Sequence, residues 1–345
     1  MASLNITSLV AHIDELRSWV IQQNFDLLCI NESRLDPSIP SSMVSIEGYD
    51  IHRSDRNRNG GGVCLYLKKG VNGKNRSDLT DDKVESLCFE IMKPNSKSFA
   101  VLACYRPPNY DTRSFFNIFE NVLTKIDSEF KEIYILGDLN CDLLSTNINQ
   151  QTRYLNTTAE LFQLTQLITE PTRVTEKSKT LIDVILTNSP DRVVRSGVVH
   201  IGISDHSLVY TIRKIAIPTN NNHCKISFRS AKNFDSDKFL MDLATLPWDC
   251  LDNKESPDDM WDRWKELFLS VLDSHAPIKT KRIRNKKSPW MTTDLRKAMY
   301  DRDKMKQKAT QTNSRDDWSD YKSIRNRVNN EIKRAKKSYY ENHFA

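Results

Sequence analysis

Residues 133–142 read I-Y-I-L-G-D-L-N-C-D, a pattern typical of a buried strand that ends in a polar turn. Gly137 frees the backbone just before Asp138, and Asn140 follows two residues later. Side chains two residues apart in an extended segment point to the same side, so this carboxylate and this carboxamide are predicted to face one spot. A strand that ends in Asp or Asn is most often only a turn. The stretch therefore indicates a functional site only if other polar residues converge on it.

Polar residues also end or follow several other predicted strands. Apolar runs and alternation predict strands at Leu27–Ile30, Val63–Leu67, Leu87–Ile91, Phe99–Tyr105, Thr180–Asn188 and Leu208–Ile212. The further polar residues at such positions are Asn5, Glu32, Tyr105, Asp183, Asp205 and His206. A carboxylate at a strand end is by itself more often solvated than functional. Asp183 differs, because an acid among Leu, Ile and Val is costly to bury unpaired, and we expect its partner to be His206.

Apolar residues at helical spacing separate and follow these strands. Helices are predicted at Ser8–Gln23, around Phe115–Ile126, and at Thr158–Leu167, Phe234–Leu243, Asp258–Leu272 and Trp318–Tyr340. The polar, turn-rich segment Pro218–His223 marks a boundary between the alternating strands and helices and the helical remainder. We therefore predict two domains, residues 1–214 and a helical, basic extension at residues 215–345.

The composition predicts an intracellular protein without a membrane span. No run approaches the roughly 20 apolar residues that cross a bilayer, and the first residues lack the basic flank and apolar block of a secretory signal. The 7 cysteines are scattered and form no C-x-x-C pair, so buried free thiols are expected rather than disulfides or zinc ligands. A nuclear or cytoplasmic location is the resulting expectation.

The basic charge is concentrated near the C-terminal end. Lys279–Glu341 contains 20 Lys and Arg against 8 Asp and Glu, a local charge of +12, so the rest of the chain carries −6. Such a block favours a polyanionic partner, although a solvated helical face is the commoner explanation. Arg53, Arg56, Arg58 and Arg106 lie near the polar strand ends in sequence. Contacts with nucleic-acid phosphates and ordinary surface positions explain these arginines equally well.

The residue types at the strand ends predict a metal-assisted reaction at phosphorus. Carboxylate and carboxamide oxygens suit Mg²⁺, which binds through one or two carboxylates, several waters and the phosphate of a substrate. A histidine held by a buried aspartate can act as a base or as a donor to a developing oxyanion. Three glycines at residues 60–62 form a turn rather than a nucleotide loop, because no Gly-Lys-Ser/Thr follows them. The combination favours hydrolysis of a phosphate ester with Mg²⁺, or with Mn²⁺ as its substitute.

Six short motifs occur in the order N-I-T-S-L, N-E-S-R-L, Y-R-P-P, G-D-L-N, T-L-I-D and S-D-H. This order resembles the endonuclease/exonuclease/phosphatase superfamily over residues 1 to about 214. The Arg-rich stretch before G-G-G-V, the string Y-R-P-P-N and the later S-P-W-M-T-T-D-L-R resemble the apurinic/apyrimidinic-like endonuclease of a non-LTR (LINE-type) retrotransposon and the linker to its reverse transcriptase. The sequence contains no aromatic-x-Asp-Asp string of the polymerase. We therefore expect a fragment of such an element, or a gene derived from one.

The resemblance implies a fold and a metal site. The implied fold is α/β, a four-layer sandwich of two packed mixed β-sheets flanked by helices and followed by the basic helical extension. The implied metal ligands are Glu32, most directly, with Asn5 and Asp205. One departure from the family concerns the first strand, which is normally longer than the Met1–Leu4 that precede Asn5 here. Fraying of so short a strand would weaken the metal site.

The resemblance also implies catalytic roles for the remaining polar strand ends. Asp138 would orient or deprotonate the attacking water, and Asn140 would help to hold the phosphate. His206, oriented by Asp183, would stabilise the pentavalent phosphorane. Tyr105 would donate a hydrogen bond to a phosphate oxygen.

The implied function is Mg²⁺-dependent nicking of double-stranded DNA that leaves a 3′-hydroxyl, as in target-primed retrotransposition. Element RNA is a further implied partner of the basic segment, and no membrane partner is expected. Two alternatives stay open. One keeps the fold but acts on a small phosphomonoester or a phospholipid headgroup, and the other is an inactive nucleic-acid-binding remnant whose affinity comes from Lys279–Lys337. Nicking, hydrolysis of inositol phosphates, and salt-sensitive binding without nicking distinguish the three.

Overall fold

The computed structural model describes residues 1–92, 97–213, 225–232, 234–250, 256–282 and 288–344. In chain order the strands are β1 (Ala2–Asn5), β2 (Leu27–Asn31), β3 (Tyr49–Ser54), β4 (Val63–Lys68), β5 (Gly73–Asn75), β6 (Glu85–Ile91), β7 (Phe99–Tyr105), β8 (Ile133–Asp138), β9 (Thr165–Gln166), β10 (Arg173–Val174), β11 (Lys179–Thr180), β12 (Asp183–Thr187), β13 (Val193–Val199), β14 (Leu208–Arg213), β15 (Lys225–Arg229) and β16 (Ile278–Arg282). The helices are α1 (Leu9–Gln23), α2 (Thr112–Glu129), α3 (Gln150–Leu161), α4 (Ser236–Ala244), α5 (Pro257–His275), α6 (Thr293–Thr312) and α7 (Arg315–Phe344).

The chain divides into two compact units. The first comprises Met1–Asn220 and Lys287–Ala345, and the second is Asn221–Lys286. The second unit contains the antiparallel pair β15–β16 and the helices α4 and α5. The predicted boundary segment Pro218–His223 and residues 283–287 of the basic block Lys279–Glu341 lie outside the described residues. These units are defined by the contacts within them, whereas a domain is defined by its ability to fold independently. The predicted domains 1–214 and 215–345 therefore stay a prediction.

Two six-stranded sheets form the centre of the first unit. The strand order is β13-β14-β1-β2-β4-β3 in the first sheet and β5-β6-β7-β8-β12-β9 in the second. Each sheet is mixed, because one internal pair is parallel, β1 with β2 in the first and β7 with β8 in the second. The register sets Asn5 beside Asn31, and Asp138 between Tyr105 and Asp183. The polar strand ends of each sheet are therefore brought together at one edge.

Apolar side chains fill three layers of core. Between the sheets, residues such as Cys29 and Leu65 of the first sheet meet Phe89 and Tyr134 of the second. Leu28 and Ile30, which flank Cys29 in sequence, point to the opposite face and pack against α1. Helices α2 and α3 cover the outer face of the second sheet. This arrangement of helix, sheet, sheet and helix confirms the predicted four-layer α/β sandwich.

The short first strand is held on both sides. Ala2 and Ser3 pair with β14, while all four residues of β1 pair with β2, and all four are buried. The amino group of Met1 donates a further hydrogen bond of 2.9 Å to the carbonyl of Thr211. Because β1 lies inside the sheet, its backbone groups are satisfied even though few residues precede Asn5.

Two predicted elements lie elsewhere than expected. The predicted helix Thr158–Leu167 is wrong in position, since α3 spans Gln150–Leu161 and begins where the Asn149 side chain accepts a hydrogen bond from the backbone N–H of Thr152. The positive φ of 53° at Gln163 turns the chain out of the helix, and the next residues join the second sheet as β9. The predicted strand Thr180–Asn188 is divided, because its first residue belongs to the hairpin β10–β11 and only Asp183–Thr187 enters the sheet.

Helices α6 and α7 pack on each other within the first unit. Their shared core contains Met291, Leu295, Met299 and Val328. The predicted helix Trp318–Tyr340 is therefore confirmed and extends further in both directions. Among the helices that the structure describes, none combines the length and apolar character needed to span a bilayer.

Candidate active site

Asp138 occupies the end of β8, at the centre of the predicted site. Gly137 has φ 149°, and a Cβ at this position would lie 1.8 Å from the carbonyl oxygen of Cys104, so only glycine fits there. The buried Asp138 carboxylate accepts hydrogen bonds of 2.9 Å from Asn5 Nδ2 and from the backbone N–H of Asn140. The apolar strand, Gly137 and Asp138 that the sequence suggested as a site therefore end in a carboxylate that two hydrogen bonds hold in place.

Asn140 follows in the left-handed region, with φ 51°, which asparagine tolerates better than most residues. Its Nδ2 donates to the carbonyl of Arg106 at 2.8 Å. The Arg106 guanidinium is fully buried and donates to the carbonyl of Leu139 at 3.2 Å and to that of Tyr110 at 3.3 Å. Arg106 therefore braces the turn that carries Asn140, and the interpretation of this arginine as a phosphate contact or a surface residue is wrong.

Asp183 and His206 form the predicted pair. His206 Nδ1 lies 2.9 Å from Asp183 Oδ2, and both side chains are buried. The same nitrogen lies 3.9 Å from Asp138 Oδ2. Among the described residues, ligand atoms of these three side chains lie within 4.8 Å of one another. The partner predicted for the buried Asp183 is therefore present. The pair joins the two sheets, because Asp183 is the first residue of β12 in the second sheet and His206 precedes β14 of the first.

The electrostatics of this trio keep His206 charged. Burial works to lower the pKa of His206, but the adjacent Asp183, followed by Asp138 and Asp205, raises it above its usual value. Burial and the neighbouring charge of Asp183 raise the pKa of Asp138, while His206 acts in the opposite direction. At neutral pH the histidine is therefore a proton donor, and Asp138 is a stronger base than a solvated aspartate.

Thr172 holds the backbone of Asp183 in place. Its buried hydroxyl accepts hydrogen bonds from the backbone N–H groups of Ile182 and Asp183, at 3.2 and 3.1 Å. Its own carbonyl accepts one from the N–H of Ser207, at 2.7 Å. One residue thus fixes both strands that deliver the Asp183–His206 pair.

Glu32 lies at the open side of the site. Its Oε1 accepts hydrogen bonds from Asn5 Nδ2 at 3.1 Å and from the Tyr105 hydroxyl at 3.0 Å. Its Oε2 accepts one from Arg34 at 3.1 Å, and the side chain is 20% exposed. Burial would raise the pKa of Glu32, but these donors lower it, so the carboxylate is ionised at neutral pH. Burial and the charge of Glu32 raise the pKa of Tyr105, which keeps its hydroxyl protonated.

The donor set fits a hard divalent cation. Glu32 is an ionised, partly exposed carboxylate, and Mg²⁺ needs one or two such oxygens because waters and substrate phosphate complete its shell. Asn5 presents Nδ2 to both Glu32 and Asp138, while its Oδ1 accepts a hydrogen bond of 3.1 Å from the N–H of Thr7. In this arrangement Glu32 is the residue that would hold the ion, and the role of Asn5, which donates to both Glu32 and Asp138, as a further metal ligand stays a prediction.

Asp205 lies beside His206 but is turned towards a different partner. Its Oδ2 is 2.8 Å from Arg173, and the side chain is 44% exposed. Burial would raise the pKa of Asp205, but the charges of His206 and Arg173 lower it. The structure thus places Asp205 at the rim, and its role as a metal ligand remains a prediction.

Helix α6 holds the loop that leads to His206. The buried Lys306 ammonium donates to the carbonyls of Ile201 and Ser204 at 2.8 and 2.7 Å. Asp303 Oδ1 accepts a hydrogen bond of 2.7 Å from the N–H of Gly202. Burial lowers the pKa of Lys306 to about 8. The loop is therefore bound from one side by its own sheet and from the other by α6.

A buried ion pair anchors the same helix to α1. Arg302 donates to both carboxylate oxygens of Glu15, at 2.8 and 2.9 Å, and both side chains are at most 5% exposed. Both of these hydrogen bonds come from Nη1, and Nε and Nη2 of the same guanidinium donate to Asp303 Oδ1 at 3.0 and 2.7 Å, so two carboxylates hold the planar group. The docking of α6 is thus specific rather than a loose apposition of charged surfaces.

Three supporting residues were not among the predicted site residues: Thr172, Arg106 and Lys306. Thr172 stands in the string E-P-T-R, which carries no sign of a buried hydroxyl. Arg106 follows Tyr105 directly and differs in sequence from a surface arginine only by the two prolines after it. Lys306 is one cation within a block of 20, and nothing in its spacing marks it as buried.

The comparisons agree with this architecture. A model of the Endonuclease/Exonuclease/phosphatase family matches residues 2–206. No curated protein matches the sequence. The endonuclease domain of TRAS1, a telomere-specific non-LTR retrotransposon, superposes with a TM-score of 0.51 at 13% identity, covering 62% of this chain and 98% of that one.

Two further solved structures have similar coverage. An AP endonuclease from Archaeoglobus fulgidus has a TM-score of 0.50 at 16% identity, and the 3′ phosphatase NExo from Neisseria, bound to product DNA hairpin, has 0.51 at 12%. Each match covers 62% of this chain and 98% of the other. At such identities the likeness shows a shared fold. Because the family model matches more than half of the sequence, this protein belongs to the endonuclease/exonuclease/phosphatase family.

Proposed function

We propose that this protein is a Mg²⁺-dependent endonuclease that nicks one strand of double-stranded DNA and leaves a 3′-hydroxyl, as in target-primed retrotransposition. The observation that carries the proposal is the convergence of Glu32, Asp138 and the Asp183–His206 pair, from distant parts of the sequence, on one edge of the two sheets. The family to which the chain belongs includes nucleases and phosphatases in its name, and this cluster has the chemistry that hydrolysis of a phosphate ester requires.

Each site residue has a separate role in the proposed reaction. Asp138, held by Asn5 and the N–H of Asn140, is positioned to accept a proton from the attacking water. The His206 imidazolium uses Nδ1 for Asp183, which leaves Nε2 to donate to the phosphate oxygen on which negative charge develops. A bound Mg²⁺ would neutralise charge on the phosphate and stabilise the leaving oxygen.

Two residues at the open side would position the substrate. The protonated hydroxyl of Tyr105 is 3.0 Å from Glu32 and can transfer its hydrogen bond to a phosphate oxygen. The Asn140 amide is fixed by the carbonyl of Arg106, so its remaining donor is held in one direction. A preorganised donor of this type is more effective than a mobile one, because it needs no reorganisation during the reaction.

The basic character of α6 and α7 favours nucleic acid over a small phosphate ester as substrate. The same proposal includes three further points. The metal is Mg²⁺, for which Mn²⁺ can substitute; element RNA is a further partner, bound by Lys279–Lys337; and the protein acts in the nucleus or cytoplasm. A polyanionic partner is the common requirement, since clustered Lys and Arg gain affinity by releasing the counterions of a phosphate backbone.

Supercoiled plasmid incubated with the purified protein and Mg²⁺ tests the proposal. The expected product is the open circle, and DNA polymerase should extend the nick because a 3′-hydroxyl is exposed. His206→Ala should reduce nicking by about 10²–10⁴-fold. His343→Ala, which removes an exposed histidine of α7, is the matched control and should nick like the parent.

Other outcomes would replace the proposal. Nicking that persists in His206→Ala would contradict the mechanism. Hydrolysis of inositol phosphates without cleavage of DNA would indicate a small-substrate phosphatase of the same fold. Salt-sensitive DNA binding without nicking in any divalent metal would indicate an inactive binding remnant.

A further inference from the structure

A groove of about 550 Å³ opens beside the loop that carries His206. Its lining includes Thr7 and Asp205; Asp205 directly precedes His206, and the Thr7 hydroxyl lies 3.4 Å from Ser204 Oγ of the same loop. One wall is the turn between β10 and β11, including Lys177, and another is α7, including Arg325 and Asn329. The groove is therefore shared between the family fold and the C-terminal helices.

The charge of the groove is positive. The acid of the β10–β11 turn, Glu176, is neutralised by Lys322 at 2.8 Å, and Asp205 is neutralised by Arg173 at the same distance. In the part of the chain that the structure describes, Lys177 and Arg325 line the groove without forming an ion pair. Two cations therefore remain to attract an anion from solvent.

The wall formed by α7 is rigidly placed. Trp318 and Tyr321 at its start pack with Val174 of β10 and Ala309 of α6 in a small buried core. Lys179 of β11 also donates to the carbonyl of Thr310, at 3.4 Å. The two walls are thus connected to each other, so a ligand that binds in the groove would not have to order α7 first.

We propose that this groove binds the sugar-phosphate backbone of the DNA strand next to the nick. The inference rests on the proposed function and names the surface that would receive the substrate beyond the scissile phosphate. Lys, Arg, Asn and Thr are the side chains that make most contacts to phosphate in protein–DNA interfaces, and each occurs in the lining. A strand whose phosphate lies at His206 would reach the groove past Asp205, which lines the groove and directly precedes His206 in sequence.

Equilibrium binding without catalysis tests the groove separately from the nuclease activity. A fluorescently labelled DNA duplex is titrated in EDTA, and anisotropy gives Kd at several salt concentrations. Lys177→Gln combined with Arg325→Gln should raise Kd on the order of tenfold and reduce the slope of log K against log salt by about 1.8, roughly 0.9 for each lost contact. Arg325→Lys should keep the slope, because it keeps the charge.

The control removes the same charge from α7 outside the groove. Arg327→Gln combined with Lys337→Gln replaces side chains that are 65% and 76% exposed and pair with acids four residues along the helix. Because Glu331 and Glu341 already pair with these two cations, the control pair should change Kd and the slope by less than the groove pair does. If both double variants lose the same affinity for the duplex, the groove proposal is refuted and DNA binding is spread over the basic helices. Parental affinity in the groove variant would also refute the groove. Tighter binding of an RNA strand of the same sequence would overturn its assignment to DNA.

The two proposals fail in different ways. A parent protein that cannot nick plasmid, but whose groove variants lose affinity for the duplex, would refute the nuclease and keep the groove. A parent that nicks normally, with groove variants that bind like the parent, would refute the groove and keep the nuclease.

Discussion

Replacement of Lys306 by Met tests how strongly α6 sets the geometry of the catalytic loop. Methionine is of similar length but cannot donate, so the carbonyls of Ile201 and Ser204 lose their 2.8 and 2.7 Å hydrogen bonds. An unsatisfied buried acceptor costs roughly 1–3 kcal/mol. Against this, lowering of the Lys306 pKa from 10.5 to about 8 implies that the buried ammonium costs about 3 kcal/mol at neutral pH. The two lost hydrogen bonds together cost roughly 2–6 kcal/mol against about 3 kcal/mol gained, so we expect the free energy of unfolding to fall by no more than about 3 kcal/mol.

Lys306→Met should also slow catalysis. The loop that it releases ends at His206, and misplacement of a reacting group by about 1 Å costs roughly 10²-fold in rate. We expect kcat for plasmid nicking to fall by about 10–100-fold while KM stays within about twofold, because the variant moves a proton donor without removing a substrate contact. Lys304→Met, on the exposed face of the same helix, is the control and should leave both constants unchanged. A folded Lys306→Met protein with parental kcat would refute the reasoning.

The pH dependence of stability gives the same variant an independent readout. The pKa of Lys306 is lower in the folded protein than in the unfolded chain, so the unfolded state binds more protons between about pH 8 and 10.5. The free energy of unfolding of the parent should therefore rise relative to Lys306→Met across this window, by up to about 3 kcal/mol. Urea unfolding at several pH values measures the difference, and a flat difference would show that the ammonium is not buried.

Three further substitutions address the centre itself. Glu32→Gln should raise the Mn²⁺ dissociation constant by at least tenfold, measured by calorimetry without substrate, because it removes the ionised carboxylate that fits the cation; unchanged affinity would place the ion elsewhere. Asp183→Asn should lower the pKa of His206, followed by NMR, and reduce nicking by at least about 10²-fold; an unmoved pKa would contradict the pairing. Thr172→Val should destabilise the protein by about 1–3 kcal/mol in urea, since two buried N–H groups lose their acceptor; parental stability would mean that the strands reorganise.

The candidate active site was the part of the structure that could best be predicted from the sequence. Asp138 was predicted from the apolar strand and from Gly137, which approaches Cys104 closely, whereas Asn140 lies beyond β8 with a left-handed backbone, so the two-residue repeat of a strand does not place it. Asp183 and His206 could be paired because burial of an unpartnered acid among apolar residues is too costly to occur. Local periodicity and the cost of burying charge are both properties that a sequence displays directly.

The supports of the centre could not be predicted in this way. Arg106 and Lys306 are buried through contacts with carbonyl groups, which every residue possesses and which therefore leave no trace in the sequence. The position of α3 was misjudged for a related reason, because its cap at Asn149 and the positive φ at Gln163 outweigh an apolar stripe that continues past the helix. A helix cap and a left-handed residue are local features, but the apolar periodicity from which the helix was predicted does not show where they lie.

Not every cation of the basic segment contributes to the charge of the protein surface. Arg302 and Lys306 are buried against Glu15 and the catalytic loop, so two of the cations in this block act within the protein and cannot attract a distant polyanion. The family match ends at residue 206, whereas contacts with the catalytic loop continue to Lys306. Removal of α6 would leave the Glu15 carboxylate without its partner and the loop carbonyls without their donor. Residues that hold the loop before His206 in place therefore lie beyond the segment that matches the family.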